Sequence, residues 1–319
     1  MMTPSLSIVI PVYNSEASVG QVVDALAQVL PGVAGAYEII LVEDGSPDQS
    51  WQSLLAARQR YPFVRVIRLM RNYGQHNALL CGIRAARYAL IVTMDDDMQH
   101  PPESLPLLLA ALTADVDVVY GSPERQRHGL LRDVASEVTK LVLQGAMGAE
   151  TARNISAFRL FRTPVRQAFV EFYGPYVNLD VLLTWGTRRF ARITIPHRTR
   201  LVGQSNYTLT KLITHTFNMV TGFSTLPLQL ASLLGFTLTL FGLLLLFYII
   251  VVRILIFGYD VPGFTFLASI IAVFAGAQMF TLGIIGEYLA RMHFRIMDKP
   301  SYVIREQIDP AGTESDQPR

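Results

Sequence analysis

Ala89-Leu90-Ile91-Val92-Thr93-Met94-Asp95-Asp96-Asp97-Met98-Gln99-His100-Pro101-Pro102 is an apolar run that breaks into three consecutive carboxylates. Residues 89–94 have the length and composition of a buried strand, so the acids emerge at its carboxyl end, where open α/β sheets bind ligands. Adjacent carboxylates repel one another, and a chain that gathers them at a strand end has a use for a cation there. Oxygen donors of this kind suit Mg²⁺ or Mn²⁺, which one or two carboxylates hold while substrate phosphates supply other ligands. Alone, the triplet reads equally as a solvated acidic turn ahead of a helix begun by Pro101-Pro102.

The neighbouring strands bear on that choice. Residues 1 to about 200 alternate short apolar runs with helix-like segments, the pattern of a mostly parallel sheet flanked by helices. Residues 6–12, 37–42 and 63–69 are strands like 89–94, and residues 17–30 form a helix with an apolar stripe from Val19 to Val29. Each strand ends in polar residues: Tyr13 and Asn14, then Asp44, then Arg71, then Asp95 to Asp97. In such a sheet they converge on one edge. A carboxylate such as Asp44 can accept hydrogen bonds from a ribose or a base there, although Asp44-Gly45-Ser46-Pro47 by itself is an ordinary turn. Neither a P-loop nor a G-x-G-x-x-G occurs, so a phosphate would be met by metal and arginines. Further on, residues 102–112 read as a helix and 116–120, 155–161 and 189–196 as strands, with Asp180 and Trp185 on a helical segment. Arg125, Arg127 and Arg132 precede an apolar helix carrying Ser136, which makes either an anion clamp or a solvated basic face.

The chain's 319 residues are 51% hydrophobic and only 16% charged, and the excess apolarity gathers late. Residues 227–252 and 261–286 are charge-free stretches of 26 residues each. As helices they extend about 39 Å, against about 30 Å of bilayer hydrocarbon. The short connection between them makes an antiparallel transmembrane hairpin. Lys211 lies before it and Arg291, Arg295, Lys299 and Arg305 after it, so the positive-inside rule places both termini in the cytoplasm. Residues 6–12 are too short for a signal-peptide core, and residues 1–205 are expected to stay cytosolic. Residues 206–226 fit an amphipathic helix in the membrane interface, and 287–319 a cytosolic juxtamembrane helix with a flexible tail. A net charge of +2 gives no argument for nucleic acid, and the single cysteine, Cys81, excludes an internal disulfide.

Pro11-Val12-Tyr13-Asn14, Glu43 to Asp48, Arg71-Asn72-Tyr73-Gly74-Gln75-His76 and Asp95 to Pro102, followed by paired spans, resemble the polyprenyl-phosphate glycosyltransferases of glycosyltransferase family 2. The family includes dolichyl-phosphate mannose synthases and bacterial undecaprenyl-phosphate sugar transferases. The stretch around Gly283 to Tyr288 resembles the undecaprenyl-phosphate aminoarabinose branch. The resemblance implies a GT-A fold, a Rossmann-like mixed sheet, in a bacterial inner-membrane enzyme. It implies a nucleotide-sugar donor, UDP-linked, a polyprenyl phosphate acceptor and a homo-oligomer. It assigns nucleotide contacts to Pro11, Tyr13 and Asp44, and Mg²⁺ or Mn²⁺ coordination to Asp95, Asp97 and Gln99, with Asp96 a bystander. It assigns the lipid phosphate to Arg132 and Ser136, and to Arg200 with Ser205. The catalytic residues are then Asp95, Asp97 and Arg132.

Three positions depart from that family pattern. Ser15 stands where the family has Glu, with Glu16 one place later; Asn206 replaces a Lys after Ser205; and residues 153–159 lack an Asp found in relatives. An alcohol acceptor needs a base, whereas a polyprenyl phosphate is already an anion, so the lost acid is compatible with a single inverting displacement. Asp180 is the fallback base. A processive polysaccharide synthase is a rival, but no Gln-x-x-Arg-Trp occurs and Trp185 follows Leu182-Leu183-Thr184. A membrane scaffold without turnover is a second rival.

Overall fold

The computed structural model describes residues 3–123, 155–174, 176–196, 226–248, 251, 263–297 and 299–309. Strands β1 (Ser5–Val12), β2 (Ala36–Glu43), β3 (Val64–Leu69) and β4 (Leu90–Thr93) are largely apolar and buried on both faces, as parallel strands covered by helices are. They pair in parallel in the order 3-2-1-4. Strand order therefore reverses between β1 and β4, and the crevice beyond their carboxyl ends is the place where such sheets bind ligands.

Beyond β4 the sheet continues through β6 (Arg159–Arg162), β5 (Val118–Pro123) and β7 (Phe190–Ile195), with β6 antiparallel to both of its neighbours. At the opposite edge β8 (Ile304–Ile308) runs antiparallel to β3, giving an eight-stranded mixed sheet. Two cores cover its faces. One joins α1 (Val19–Val33), α2 (Ser50–Arg60) and α4 (Leu105–Ala111) to the sheet. The other joins α3 (Gln75–Ala85) and α5 (Leu179–Gly186).

Three elements differ from the sequence expectation. The strand expected over residues 155–161 starts only at Arg159, because the Ser156 hydroxyl takes the Phe158 N–H and faces His100. The helix expected over 102–112 is a 3₁₀ turn, Pro102–Ser104, followed by α4. Strand β8 lies within the stretch expected to be helix and flexible tail.

Contacts divide the chain into two units, Met1–Ile213 with Asp298–Arg319, and Thr214–Met297. In the second, α6 (Leu226–Phe247) and α7 (Phe264–Ile296) pack together, with Gly242 against the Phe274 ring. Both fall where the hairpin is expected. Some of their side chains lie outside the described residues, and on the described residues alone no helix is long and apolar enough to cross a membrane. Nearly all of the expected interfacial helix, residues 206–225, is likewise outside them.

Candidate active site

The loops after β1, β2 and β3 are locked together by their own polar groups. Gly45 has φ +66°, and a Cβ there would strike the backbone of Arg71 and Asn72, so the close approach requires glycine. That approach brings Asp44, 2% exposed, under the Tyr73 and Gly74 N–H groups, which donate to Oδ1 and Oδ2 at 2.7 and 2.8 Å. Burial outweighs these donors and lifts the Asp44 carboxyl to about 6. In the β1 loop, Asn14 has φ +56° and donates its N–H to Ser46 Oγ, while Ser15 N–H donates to Ser50 Oγ at 2.8 Å. Glu16 accepts the Gln49 N–H at 2.9 Å and gives its own N–H to Asp48. It is a strut between loops. Pro11, one residue before the end of β1, lies opposite Val42, and Tyr13 is left 43% exposed just beyond the strand.

The acidic triplet divides its labour between sides of the crevice. Gln75, the first residue of α3, donates its amide to Asp95 Oδ1 at 2.7 Å. Asp97 is buried and accepts the Gln99 N–H at 3.1 Å, with Met98 between them at φ +59°. Asp96 turns toward the β1 loop. Burial raises its carboxyl to about 6 against a hydrogen bond from Ser15, and its Oδ2 is buried without a hydrogen-bond partner. Asp96 is thus tied to the loop that carries Tyr13. Among the described residues no group of three or more His, Cys, Asp or Glu side chains is assembled as a metal site. The expected set needs only two acids with the Gln99 amide oxygen, all in one turn at the end of β4, and these hard oxygen donors fit Mg²⁺ or Mn²⁺.

Beneath the triplet lies a network that sequence reasoning missed. Thr93, Arg159 and Tyr120 are partners across β4, β6 and β5. Arg159, buried, donates to Asp180 at 2.8 and 3.0 Å and to Thr93 Oγ1 at 3.3 Å. Tyr120 OH donates to the same Asp180 at 3.0 Å. Burial alone would raise the Asp180 carboxyl, but the Arg159 charge and hydrogen bonds hold it below its ordinary value. A carboxylate so engaged is a poor proton acceptor, which argues against Asp180 as the fallback base. The available signal was a charge inside the apolar stretch Phe158-Arg159-Leu160-Phe161, which requires a buried counter-charge.

Pro11, Tyr13, Asp44, Asp95, Asp97 and Gln99 therefore share the carboxyl edge of β1, β2 and β4. Arg132, Ser136, Arg200 and Ser205 lie outside the described residues, as do Arg125 and Arg127.

Residues 7–167 match the family described as glycosyl transferase family 2. Over 316 residues, 98% of this chain and 96% of the relative, the sequence is 33% identical to the undecaprenyl-phosphate 4-deoxy-4-formamido-L-arabinose transferase of Yersinia enterocolitica. The transferase of the same name from Yersinia pestis strain Pestoides F is 33% identical over 317 residues, again 98% of this chain and 96% of the relative. Among solved structures, glucosyl-3-phosphoglycerate synthase from Mycobacterium tuberculosis, in complex with Mn²⁺, UDP-glucose and phosphoglyceric acid, superposes with a TM-score of 0.54. It is 18% identical and covers 68% of this chain and 78% of its own, a likeness of fold.

Proposed function

The chain belongs to glycosyl transferase family 2, and from that membership we propose that it moves a sugar from a UDP-linked donor to the phosphate of undecaprenyl phosphate at the bacterial inner membrane. The observation that carries the acceptor assignment is the extent of the similarity. The solved relatives share 68% of the chain, whereas the undecaprenyl-phosphate transferases share 98%, including the paired helices. A tail kept with the acceptor class belongs to acceptor handling.

The donor lies in the crevice between β1 and β4. Tyr13 lines the base, Asp44 receives the ribose hydroxyls, and Asp95, Asp97 and Gln99 hold a divalent cation. A divalent cation held by these residues would offset charge on the departing diphosphate. Arg132 with Ser136, and Arg200 with Ser205, clamp the lipid phosphate. The acceptor oxygen is already anionic, and Asp180 is engaged with Arg159, so displacement proceeds in line with inversion and without a side-chain base.

Residues 227–252 and 261–286 form the membrane hairpin. Strand β8 supports that topology independently of the charge distribution: it shares a sheet with β1, and a sheet cannot be divided by a bilayer. The intervening chain must then cross an even number of times. Cysteines placed at Asp260 and Gln317 should react with an impermeant maleimide from opposite sides. Labelling of both from one side would sink the hairpin. The functional enzyme is proposed to be a homo-oligomer, to be measured by light scattering in nanodiscs.

The decisive experiment supplies membranes carrying the protein with undecaprenyl phosphate, Mg²⁺ or Mn²⁺ and a panel of labelled UDP sugars, including the 4-deoxy-4-formamido-arabinose donor. A labelled, mild-acid-labile lipid of inverted anomeric configuration is expected, and chelation should abolish it. Asp97→Asn should lower turnover by about 10³-fold, roughly 4 kcal/mol, while the protein stays folded and membrane-bound. Near-normal turnover would refute the metal assignment.

A further inference from the structure

The segment after β6 and helix α5 expose aromatic rings that have no role in the proposed reaction. Tyr173 is 55% exposed, Tyr176 42% and Trp185, on α5, 47%. Tyr173 and Trp185 are held in place. Phe172 meets Trp185 edge-on at 5.6 Å between centroids. Arg84 donates to the Val170 and Phe172 carbonyls at 2.7 and 2.6 Å and lies 5.6 Å from the Tyr173 ring centroid. At Gly174 the backbone is bonded to buried Ser301, whose hydroxyl donates to the carbonyl at 2.8 Å and accepts the N–H at 3.3 Å. Ser301 follows by four residues Met297, the last residue of the helical unit, and exposed Lys299 lies between them.

We propose that this aromatic patch rests in the headgroup layer of the bilayer, as a membrane contact of the catalytic unit separate from the two helices. The proposal rests on the assignment of Thr214–Met297 to the membrane. Tyr and Trp combine a large apolar ring with a polar tip, and they collect at membrane interfaces for that reason. Three such rings stand partly exposed between residues 173 and 185, and exposed apolar surface of this kind marks an interaction site. The occupant is the bilayer because the patch is hydrogen-bonded to the stretch of chain that has just left the proposed hairpin.

The sequence provides its own reporter. It holds two tryptophans, Trp51, 7% exposed, and Trp185. In the full chain carrying Trp51→Phe, reconstituted in phosphatidylcholine–phosphatidylglycerol liposomes, Trp185 emission should shift to the blue and be strongly quenched by lipids brominated near the headgroup. Tyr173→Ser with Tyr176→Ser should relieve much of the quenching and leave UDP binding unchanged. Subtracting the emission of a Trp185→Phe variant from that of the parent gives the same reading without altering Trp51. Alkaline carbonate extraction separates the two ideas. Protein released from the liposomes overturns the membrane assignment. Protein retained with Trp185 unquenched overturns the patch alone, and a blue shift that disappears on dilution with excess lipid assigns the patch to a second copy of the chain, also overturning the proposal.

Discussion

Asp44 and Asp180 are both buried carboxylates, and their surroundings drive them in opposite directions. Asp44 is raised from 3.8 to about 6, because its two backbone donors do not make up for lost hydration. The folded state then holds a proton that the unfolded state has released, so this group's contribution to stability is complete below pH 3.8 and is lost as pH rises through about 6. Its size is on the order of 3 kcal/mol. On the proposed role of Asp44 as acceptor for the ribose hydroxyls, donor binding should strengthen over the same interval. Asp44→Asn should flatten the fall in unfolding free energy between pH 4 and 7, as read from urea titrations; an unchanged slope would place the effect elsewhere. Asp180 has the opposite sign. Held below 3.8 by Arg159, it stabilises the fold above that pH, and the contribution is lost only as pH falls through its lowered value. Removing one partner from such a pair costs about 3–5 kcal/mol, whereas replacing both with apolar residues is less damaging. Asp180→Asn and Arg159→Met should each lower the melting temperature more than Arg159→Met with Asp180→Leu. A catalytic base would give another pattern, with Asp180→Asn abolishing turnover in a protein of unchanged stability.

The loops after β2 and β3 act as one element because Gly45 allows them to touch. A side chain there meets two penalties, a left-handed backbone costing about 1–2 kcal/mol and a collision with Arg71 and Asn72. Gly45→Ala should therefore pull Asp44 away from the Tyr73 and Gly74 N–H groups and raise the donor KM about tenfold or more, with a smaller effect on kcat. An unaltered KM would mean that the loops do not shape the donor site. The parallel strands were legible from sequence because each is an apolar run bounded by polar turns, and the polar residues following β1, β2 and β4 marked the edge where the candidate site lies. What was not legible depends on partners distant in sequence. Ile304-Arg305-Glu306-Gln307-Ile308 is polar and largely exposed, so its own pattern does not specify a strand; the open edge of β3 does. Asp309, beyond it, accepts from Arg65 Nε at 2.8 Å and pairs with Arg87 at 3.3 Å, tying residues more than two hundred positions apart. The Arg159 network was hidden for the same reason, since its counter-charge comes from a helix after the strand.

At the scale of the whole molecule the catalytic unit is discontinuous in sequence. Its eight strands come from both sides of Thr214–Met297, so the helical unit is an insertion between strands of the sheet rather than a tail appended to it. Truncation after Ile213 and excision of Thr214–Met297 should then behave differently, although both remove the helices. Truncation also deletes β8. It exposes the β3 edge, takes Asp309 from Arg65 and leaves that buried guanidinium with Glu38 as its remaining ion-pair partner. Excision, with Ile213 joined to Asp298 by a flexible linker of about 20 residues, keeps β8 and both ion pairs. The excised protein should unfold in urea at a clearly higher midpoint than the truncated one and should bind UDP in a Mn²⁺-dependent manner by calorimetry. On the proposed division, with donor chemistry in the sheet and acceptor access in the inserted helices, it should fail to transfer sugar to undecaprenyl phosphate in liposomes. Equal midpoints would mean that β8 contributes nothing to the sheet, and full transfer by the excised protein would remove the helices from acceptor handling.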